Sequence, residues 1–306
     1  EHDRLAGPRG EQWRFTNVAG EAGVAGPSDS FAVWFWDYDN DGREDLFVAG
    51  YRITDLSDLV AMHLGQPTRT EMPRLYRNTG DGTFADVTRA VRLDRLALPM
   101  GSNFGDLDND GWLDAYFGTG KPALGALIPN RLFRNDGGKV FQDVTTSADV
   151  GNLQKGHGVA FGDIDNDGDQ DILEEMGGWF ESDVAPLVLF RNPGHGNHFI
   201  TLRLEGRRSN RSAIGARIKV HVATARGARD IHVTCGWGGS FGGSSLQQEI
   251  GLGAATGIEA IEVRWPATGE VQVFRDVAMD RVYRIVEGDP ALVPEKVRVI
   301  TFQGSR

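Results

Sequence analysis

One nine-residue phrase, written three times, constrains this chain more than any other feature. Its copies are Asp37-Tyr38-Asp39-Asn40-Asp41-Gly42-Arg43-Glu44-Asp45, Asp106-Leu107-Asp108-Asn109-Asp110-Gly111-Trp112-Leu113-Asp114 and Asp163-Ile164-Asp165-Asn166-Asp167-Gly168-Asp169-Gln170-Asp171. Each places Asp at positions 1, 3, 5 and 9 and Gly at position 6. Carboxylates this close repel one another unless a cation lies among them. Oxygen ligands at alternate positions suit a hard ion with about six to eight ligands, which means Ca2+ before Mg2+. The Gly permits a sharp backbone turn, so that the position-7 carbonyl can face the same ion. The pattern therefore predicts about three bound Ca2+. The first ligand set is Asp37, Asp39, Asp41, Arg43 and Asp45, with Arg43 acting through its carbonyl. The second is Asp106, Asp108, Asp110, Trp112 and Asp114, and the third is Asp163, Asp165, Asp167, Asp169 and Asp171. The bland alternative is three Asp-rich surface turns that bind nothing.

The EF-hand is the rival loop, and it asks for Glu at position 12 and a helix on each side. Only the third copy meets the first demand, with Glu174; Val48 and Phe117 stand there in the others. The flanks, such as Phe31-Ala32-Val33-Trp34-Phe35-Trp36 and Leu46-Phe47-Val48-Ala49-Gly50, are short apolar and aromatic runs that read as strands. Glu174 is then an incidental match, and each loop joins two antiparallel strands.

Two further phrases repeat. Phe15-Thr16-Asn17-Val18, Phe84-Ala85-Asp86-Val87 and Phe141-Gln142-Asp143-Val144 share one pattern, spaced 69 and 57 residues apart. Leu75-Tyr76-Arg77-Asn78, Leu132-Phe133-Arg134-Asn135 and Leu189-Phe190-Arg191-Asn192 share another, and Gly-bearing turns follow it. A repeat of this size with about four short strands is one propeller blade. The extra length of the first unit, near Thr54 to Met72, reads as a loop or short helix carried on the blade. The abundance of glycine, 41 residues, also favours an all-β chain with many turns.

These phrases together resemble the FG-GAP or VCBS repeats of integrin-α-like β-propellers, in which loop Asp residues bind Ca2+ on one face. The first copy departs from that family, with Phe35-Trp36 where Phe-Gly is usual; its carboxylates are all present. From His198 the style changes. The run from His198-Phe199-Ile200-Thr201-Leu202 through Ile250-Gly251-Leu252-Gly253 to Val282-Tyr283-Arg284-Ile285-Val286 resembles the ASPIC/UnbV domain. The pairing is similar to the cartilage acidic protein family and its bacterial relatives. It implies an N-terminal arm at 1–14, propeller repeats at 15–197 (blades near 15–83, 84–140 and 141–197), an ASPIC/UnbV-like β domain at 198–288 and a tail at 289–306. Three blades cannot close a propeller, which needs about four to eight. Either the C-terminal β region supplies further blades of a small ring, the favoured arrangement because open blade edges invite pairing, or it is a separate β-sandwich.

The net charge of −11 comes largely from the loops, so three Ca2+ would leave about −5; nucleic acid is not an expected partner. The single cysteine, Cys235, excludes an intrachain disulfide and reads as a buried thiol. No apolar run is long enough for a transmembrane segment. The chain opens at Glu1 without Met or a leader, as a processed secreted protein or an engineered terminus would. Weak calcium sites suit extracellular calcium levels, so a secreted or periplasmic location is expected.

No catalytic residue or organic cofactor is assigned. His157 and the pair Glu174-Glu175 are the candidates considered; the first reads as structural, and the pair as adjacent strand residues facing apart. Trp34, Trp36, Trp112, Trp179 and Trp237 read as core packing before a carbohydrate or hydrophobic site. Gly236 to Ser245 reads as a tight turn or close backbone approach, not a phosphate cradle. The expected function is a Ca2+-stabilised binding or scaffolding module. Its partner is a protein or a glycan, or a larger membrane-associated complex. The alternatives are an enzyme with its site in the propeller channel and a calcium-dependent adhesion protein.

Overall fold

The computed structural model describes residues 14–52, 56–67, 69–121, 128–177 and 184–302. Trp179 and most of the N-terminal arm lie outside these residues. Over the described residues the chain is an all-β propeller arrangement of five sheets, with one helix, α1 (Leu56–His63), in the insertion of the first unit.

The first three sheets are blades in simple meander order. They are β1 (Ser30–Trp36), β2 (Asp45–Gly50), β3 (Arg74–Asn78) and β4 (Phe84–Asp86); β5 (Pro99–Gly105), β6 (Asp114–Thr119), β7 (Arg131–Asp136) and β8 (Val140–Asp143); and β9 (Gly156–Gly162), β10 (Asp171–Met176) and β11 (Leu187–Phe190). Each Asp-rich loop joins the first two strands of its blade, which pair antiparallel with Trp36 opposite Asp45, Gly105 opposite Asp114 and Gly162 opposite Asp171. No helix flanks any of the loops, as the EF-hand comparison anticipated. The Phe-x-Asp-Val phrases form the outer edges of the first two blades. Their trailing threonines, Thr88 and Thr145, accept hydrogen bonds from Leu75 N (2.8 Å) and Leu132 N (3.0 Å) where the third strands begin.

Strand alternation sorts the aromatic residues. On β1, Ala32, Trp34 and Trp36 are buried, whereas Val33 and Phe35 are exposed. The buried set packs with Phe47, Phe104, Phe117 and Phe141 into the core between the first two blades. Trp36, standing where the other repeats have Gly105 and Gly162, is wholly inside this cluster. The departure from the repeat pattern is therefore filled with core.

The C-terminal strands are β12 (His198–Glu205), β13 (Arg217–Thr224), β14 (Gly227–Thr234), β15 (Gln248–Gly253), β16 (Ala255–Arg264), β17 (Val271–Phe274), β18 (Val282–Val286) and β19 (Leu292–Glu295). They form two sheets, in orders β15-β12-β18-β19 and β14-β13-β16-β17. Neither is a meander, and β12 pairs with β18 in parallel. Both sheets contribute to one aliphatic core that includes Ile200, Leu202, Val220, Leu252, Ile261 and Val263.

These two sheets complete the ring begun by the blades. Inner strands β1, β5 and β9 are neighbours in turn, and β14 neighbours β15. On one side Glu249 of β15 accepts a hydrogen bond from Gln170 Nε2 (2.5 Å) in the third loop. On the other side His232 N donates to Asn40 Oδ1 (2.7 Å) in the first loop. The small-ring alternative thus describes the arrangement.

The glycine-rich segment between β14 and β15 lies across the ring. Ser240 and Ser102 exchange backbone hydrogen bonds of 2.8 Å, and Val159 N donates to Phe241 O (3.1 Å). A Cβ on Gly242 would stand 1.9 Å from Val159 O, so the approach admits only glycine there. Close backbone approach is what its composition had suggested. It also satisfies edge groups of β5 and β9 that a blade's innermost strand would otherwise leave open.

Candidate metal centres

The three loops fold alike because the same short-range bonds recur. Position 4 (Asn40, Asn109, Asn166) and position 6 (Gly42, Gly111, Gly168) all have positive φ, the former near 55° and the latter between 83° and 97°. Asn tolerates this region better than most residues, and Gly adopts it freely. The position-1 carboxylate then accepts from the N–H groups of positions 5 and 6. For Asp37 the distances are 2.9 and 2.8 Å, for Asp106 2.9 and 2.8 Å, and for Asp163 3.0 and 3.0 Å.

This geometry turns the side chains inward. Oxygens of Asp37, Asp39 and Asp41 lie within 4.8 Å of one another, as do those of Asp106, Asp108 and Asp114, and of Asp163, Asp165 and Asp167. Each group is an Asp cluster able to hold a metal ion. In the second loop Asp114 takes the corner that position 5 takes elsewhere, and Asp110 lies 3.0 Å from Arg134 Nη2. Position 9 is anchored to the blade: Asp45, Asp114 and Asp171 accept from the N–H of Asn78 (2.7 Å), Asn135 (2.8 Å) and Asn192 (2.8 Å). At position 7 the N–H groups of Arg43, Trp112 and Asp169 donate to the position-5 carboxylates at 2.9, 3.0 and 3.1 Å.

Two observations show that the donor set fits a cation. Asp39 Oδ1, Asp45 Oδ2 and Asp165 Oδ1 are buried and accept no hydrogen bond. A buried carboxylate oxygen without a partner is costly, and a cation removes the cost. Burial, opposed by backbone N–H donors and reinforced by neighbouring carboxylates, also pushes Asp37 up to about 7 and Asp45 up to about 8. Asp106 and Asp114 are raised well above the carboxylate range, again chiefly by burial. Without a metal these groups hold protons that a cation would displace.

The repeated Leu-Tyr/Phe-Arg-Asn phrase, to which sequence reading assigned no role beyond marking the repeat, supports the loops. Its Arg faces the acidic cluster: Arg134 bonds Asp108 and Asp110, and Arg191 lies 3.8 Å from Asp165. Its Asn ties loops together. Asn135 Nδ2 donates to Leu113 O (3.1 Å) in its own blade's loop and to Tyr38 O (2.8 Å) in the first. Asn192 Nδ2 likewise reaches Gln170 O (3.0 Å) and Leu107 O (2.6 Å). The constant spacing of the phrase from the loops was the available signal. Asn135→Ala would leave buried backbone groups unpaired in two loops. We expect it to cost about 2 kcal/mol and to weaken cation binding at both, as read by calorimetric titration.

The other candidates separate. Glu174 is wholly buried on β10 and accepts from the Tyr116 hydroxyl at 2.8 Å, apart from the third cluster. Burial raises it to about 7. Glu175 faces away from it, 3.9 Å from His157 Nδ1. Cys235 is a buried free thiol, pushed up to about 11 by burial. Trp34 and Trp36 are core, Trp112 packs beside Gly138 and Arg229, and Trp237 is 55% exposed. No helix among the described residues is long and apolar enough to cross a membrane.

Comparison with protein families finds an FG-GAP-like repeat match over residues 37–117 and 125–174, and an ASPIC and UnbV match over residues 206–291. No curated protein matches the chain.

Proposed function

We infer the function from this membership: the chain belongs to the proteins that join FG-GAP-like repeats to an ASPIC and UnbV domain. It is a Ca2+-binding propeller that works outside the cytoplasm as a binding or scaffolding module, for a protein or glycan partner. Three ions are held, one per loop, by the position 1, 3, 5 and 9 carboxylates and the position-7 carbonyls of Arg43, Trp112 and Asp169. The observation that carries this reading is the threefold clustering of Asp oxygens with buried acceptors left over. All-oxygen ligands favour Ca2+ over softer metals. The ions screen the carboxylates and stiffen loops that interlock across blade boundaries, so the metal's role is to rigidify a recognition face.

A binding module is preferred to a channel enzyme because His157, Glu174 and Glu175, the acid–base candidates, do not line the ring's central cavity. Calorimetric titration of metal-free protein tests the metal assignment, with three Ca2+ expected per chain and weaker binding of Mg2+. Asp39→Asn, Asp108→Asn and Asp165→Asn should each lower the count by one. A count unchanged in all three variants overturns the ligand sets.

A further inference from the structure

The ring holds a central, half-open cavity of about 760 Å3. Its walls come from the first two blades, from Gln170 of the third loop, from β14 and β15, and from the segment that crosses the ring. The chemistry of the lining is unusual in three respects.

First, large apolar groups face open space. Val33 and Phe35 are 51% and 58% exposed on β1, and Trp237 is 55% exposed on the crossing segment. Isolated exposed apolar residues are ordinary, but several gathered in one concavity mark a binding surface. Second, the polar lining is rich in acceptors. Glu44, Thr234 and Glu249 contribute, and Glu249 is held in place by Gln170 Nε2 (2.5 Å) and Gln247 Nε2 (2.8 Å). Third, among the described lining residues there is no Lys or Arg. His232 lines the wall, its pKa lowered mainly by burial, and the guanidinium behind the wall, Arg217, lies 3.9 Å from Glu44.

Each feature removes a ligand class. Without an unpaired cation in the wall, phosphorylated and carboxylated ligands would meet repulsion, chiefly from Glu249, since Glu44 is paired with Arg217. A wholly apolar ligand would desolvate those carboxylates and return no hydrogen bond. A ligand must bring several donors to satisfy the acceptors and flat apolar faces to cover the exposed rings. Neutral saccharides have both, with hydroxyls around the rim of each ring and C–H groups on its faces. A cavity of this volume lies within the range of about 300–1,000 Å3 found for small-ligand sites, room for a short oligosaccharide.

We propose that the central cavity is a binding site for a neutral oligosaccharide, with Trp237 as the stacking platform and Glu249 as a hydroxyl acceptor. This deepens the binding-module reading and rests on it. The cavity is also tied to the metal centres, since Asp37 and Glu44 of the first loop and Asp106 and Leu113 of the second line its wall. Ordering of those loops by Ca2+ shapes the site, and saccharide affinity is accordingly higher in Ca2+ than in EGTA.

The test is titration of Ca2+-loaded full-length protein, followed by tryptophan fluorescence and calorimetry. The probes are the trisaccharides of the cello, xylo, malto and chito series, with a trigalacturonate as the anionic control. At least one neutral trisaccharide should bind at low millimolar concentration and the uronate should not. Trp237→Ala should weaken that binding about tenfold or more, and Trp237→Phe should restore most of it. Neither variant should move the Ca2+-induced melting shift, because the side chain is exposed and is not among the proposed ligands. The proposal is overturned if no neutral probe binds at these concentrations, if the uronate binds as well, or if Trp237→Ala binds like wild type. A normal Ca2+ shift alongside such a result leaves the metal reading standing and removes only the saccharide site. Absence of the Ca2+ shift would instead remove the metal reading.

Discussion

Transfer of the Ca2+-loaded protein into EGTA should lower its thermal midpoint by roughly 15 °C, the largest effect expected of any solution change. Each site occupied at about a hundredfold its dissociation constant contributes about 2.7 kcal/mol, so three independent sites contribute about 8 kcal/mol. For a chain of this size each kcal/mol moves the midpoint by about 2 °C. Mg2+ should recover only a small part, because it prefers octahedral geometry and keeps its waters. The pH dependence gives a second readout. Unfolded Asp titrates near pH ~3.9, whereas in the metal-free fold burial lifts Asp163 to about 6, Asp37 to about 7 and Asp45 to about 8. A carboxyl whose folded pKa is raised stabilises the fold below its unfolded value, and that stability is lost as pH rises through the folded value. The metal-free protein should therefore be most stable near pH 4 and weaken towards about pH 8. The Ca2+-loaded protein should not weaken, because the ion replaces the protons, so the gap between the two melting curves widens with pH. Scanning calorimetry across this range checks both. Curves that stay parallel would mean the clusters do not exchange protons for metal.

Glu287→Ala should destabilise the C-terminal sheets by about 3–5 kcal/mol whether or not Ca2+ is present. Glu287, only 2% exposed, lies just beyond β18 and accepts four hydrogen bonds of 3.0 Å or less, besides a longer one from the Thr268 hydroxyl (3.5 Å). Three come from the N–H groups of Arg207 (2.8 Å), Arg208 (2.7 Å) and Ser209 (2.7 Å), and one from the Ser209 hydroxyl (3.0 Å). The carboxylate thus clamps the turn after β12. Removing it leaves those donors without an acceptor in a buried turn. Burial would raise the acid, but the N–H donors prevail and hold it at about 2. Its contribution is present above the unfolded Glu value, near ~4.3, and fades as pH falls through about 2. The difference between wild type and variant should accordingly shrink in strong acid. Urea unfolding with and without Ca2+ measures it, and a loss confined to the metal-free protein would show that Glu287 acts through the loops instead.

Much of the acidic turn was legible because it is local. Asp at positions 1, 3, 5 and 9 with Gly at 6 needs only nine consecutive residues to define a turn, and the φ values of Asn40, Gly42 and their counterparts are properties of that turn. The strands beside it were equally readable, since alternation on β1 separates Ala32, Trp34 and Trp36 from Val33 and Phe35. The exchange of Asp110 for Asp114 at the corner of the second cluster was not readable. Nor was the pairing of Asp108 and Asp110 with Arg134, which reaches the loop from β7, outside the nine-residue phrase. The bonds of Asn135 to Tyr38 and of Asn109 Nδ2 to Gly168 O (3.0 Å) join residues of different blades, so no single repeat discloses them.

The sequence by itself determined that this protein has three acidic turns between strands, repeated blades and a β-rich C-terminal region, since each follows from the periodicity and turn chemistry of neighbouring residues. Only the tertiary structure decided how three blades come to be closed. The parallel pairing of β12 with β18 and the passage of Gly236 to Gly243 across β5 and β9 are contacts between distant segments. Backbone hydrogen bonding is nearly the same for any strand partner, so partner choice is set by which faces and edges meet once the chain has folded. The central cavity is likewise a product of that closure, because its walls are drawn from segments between Val33 and Glu249 that share no local pattern.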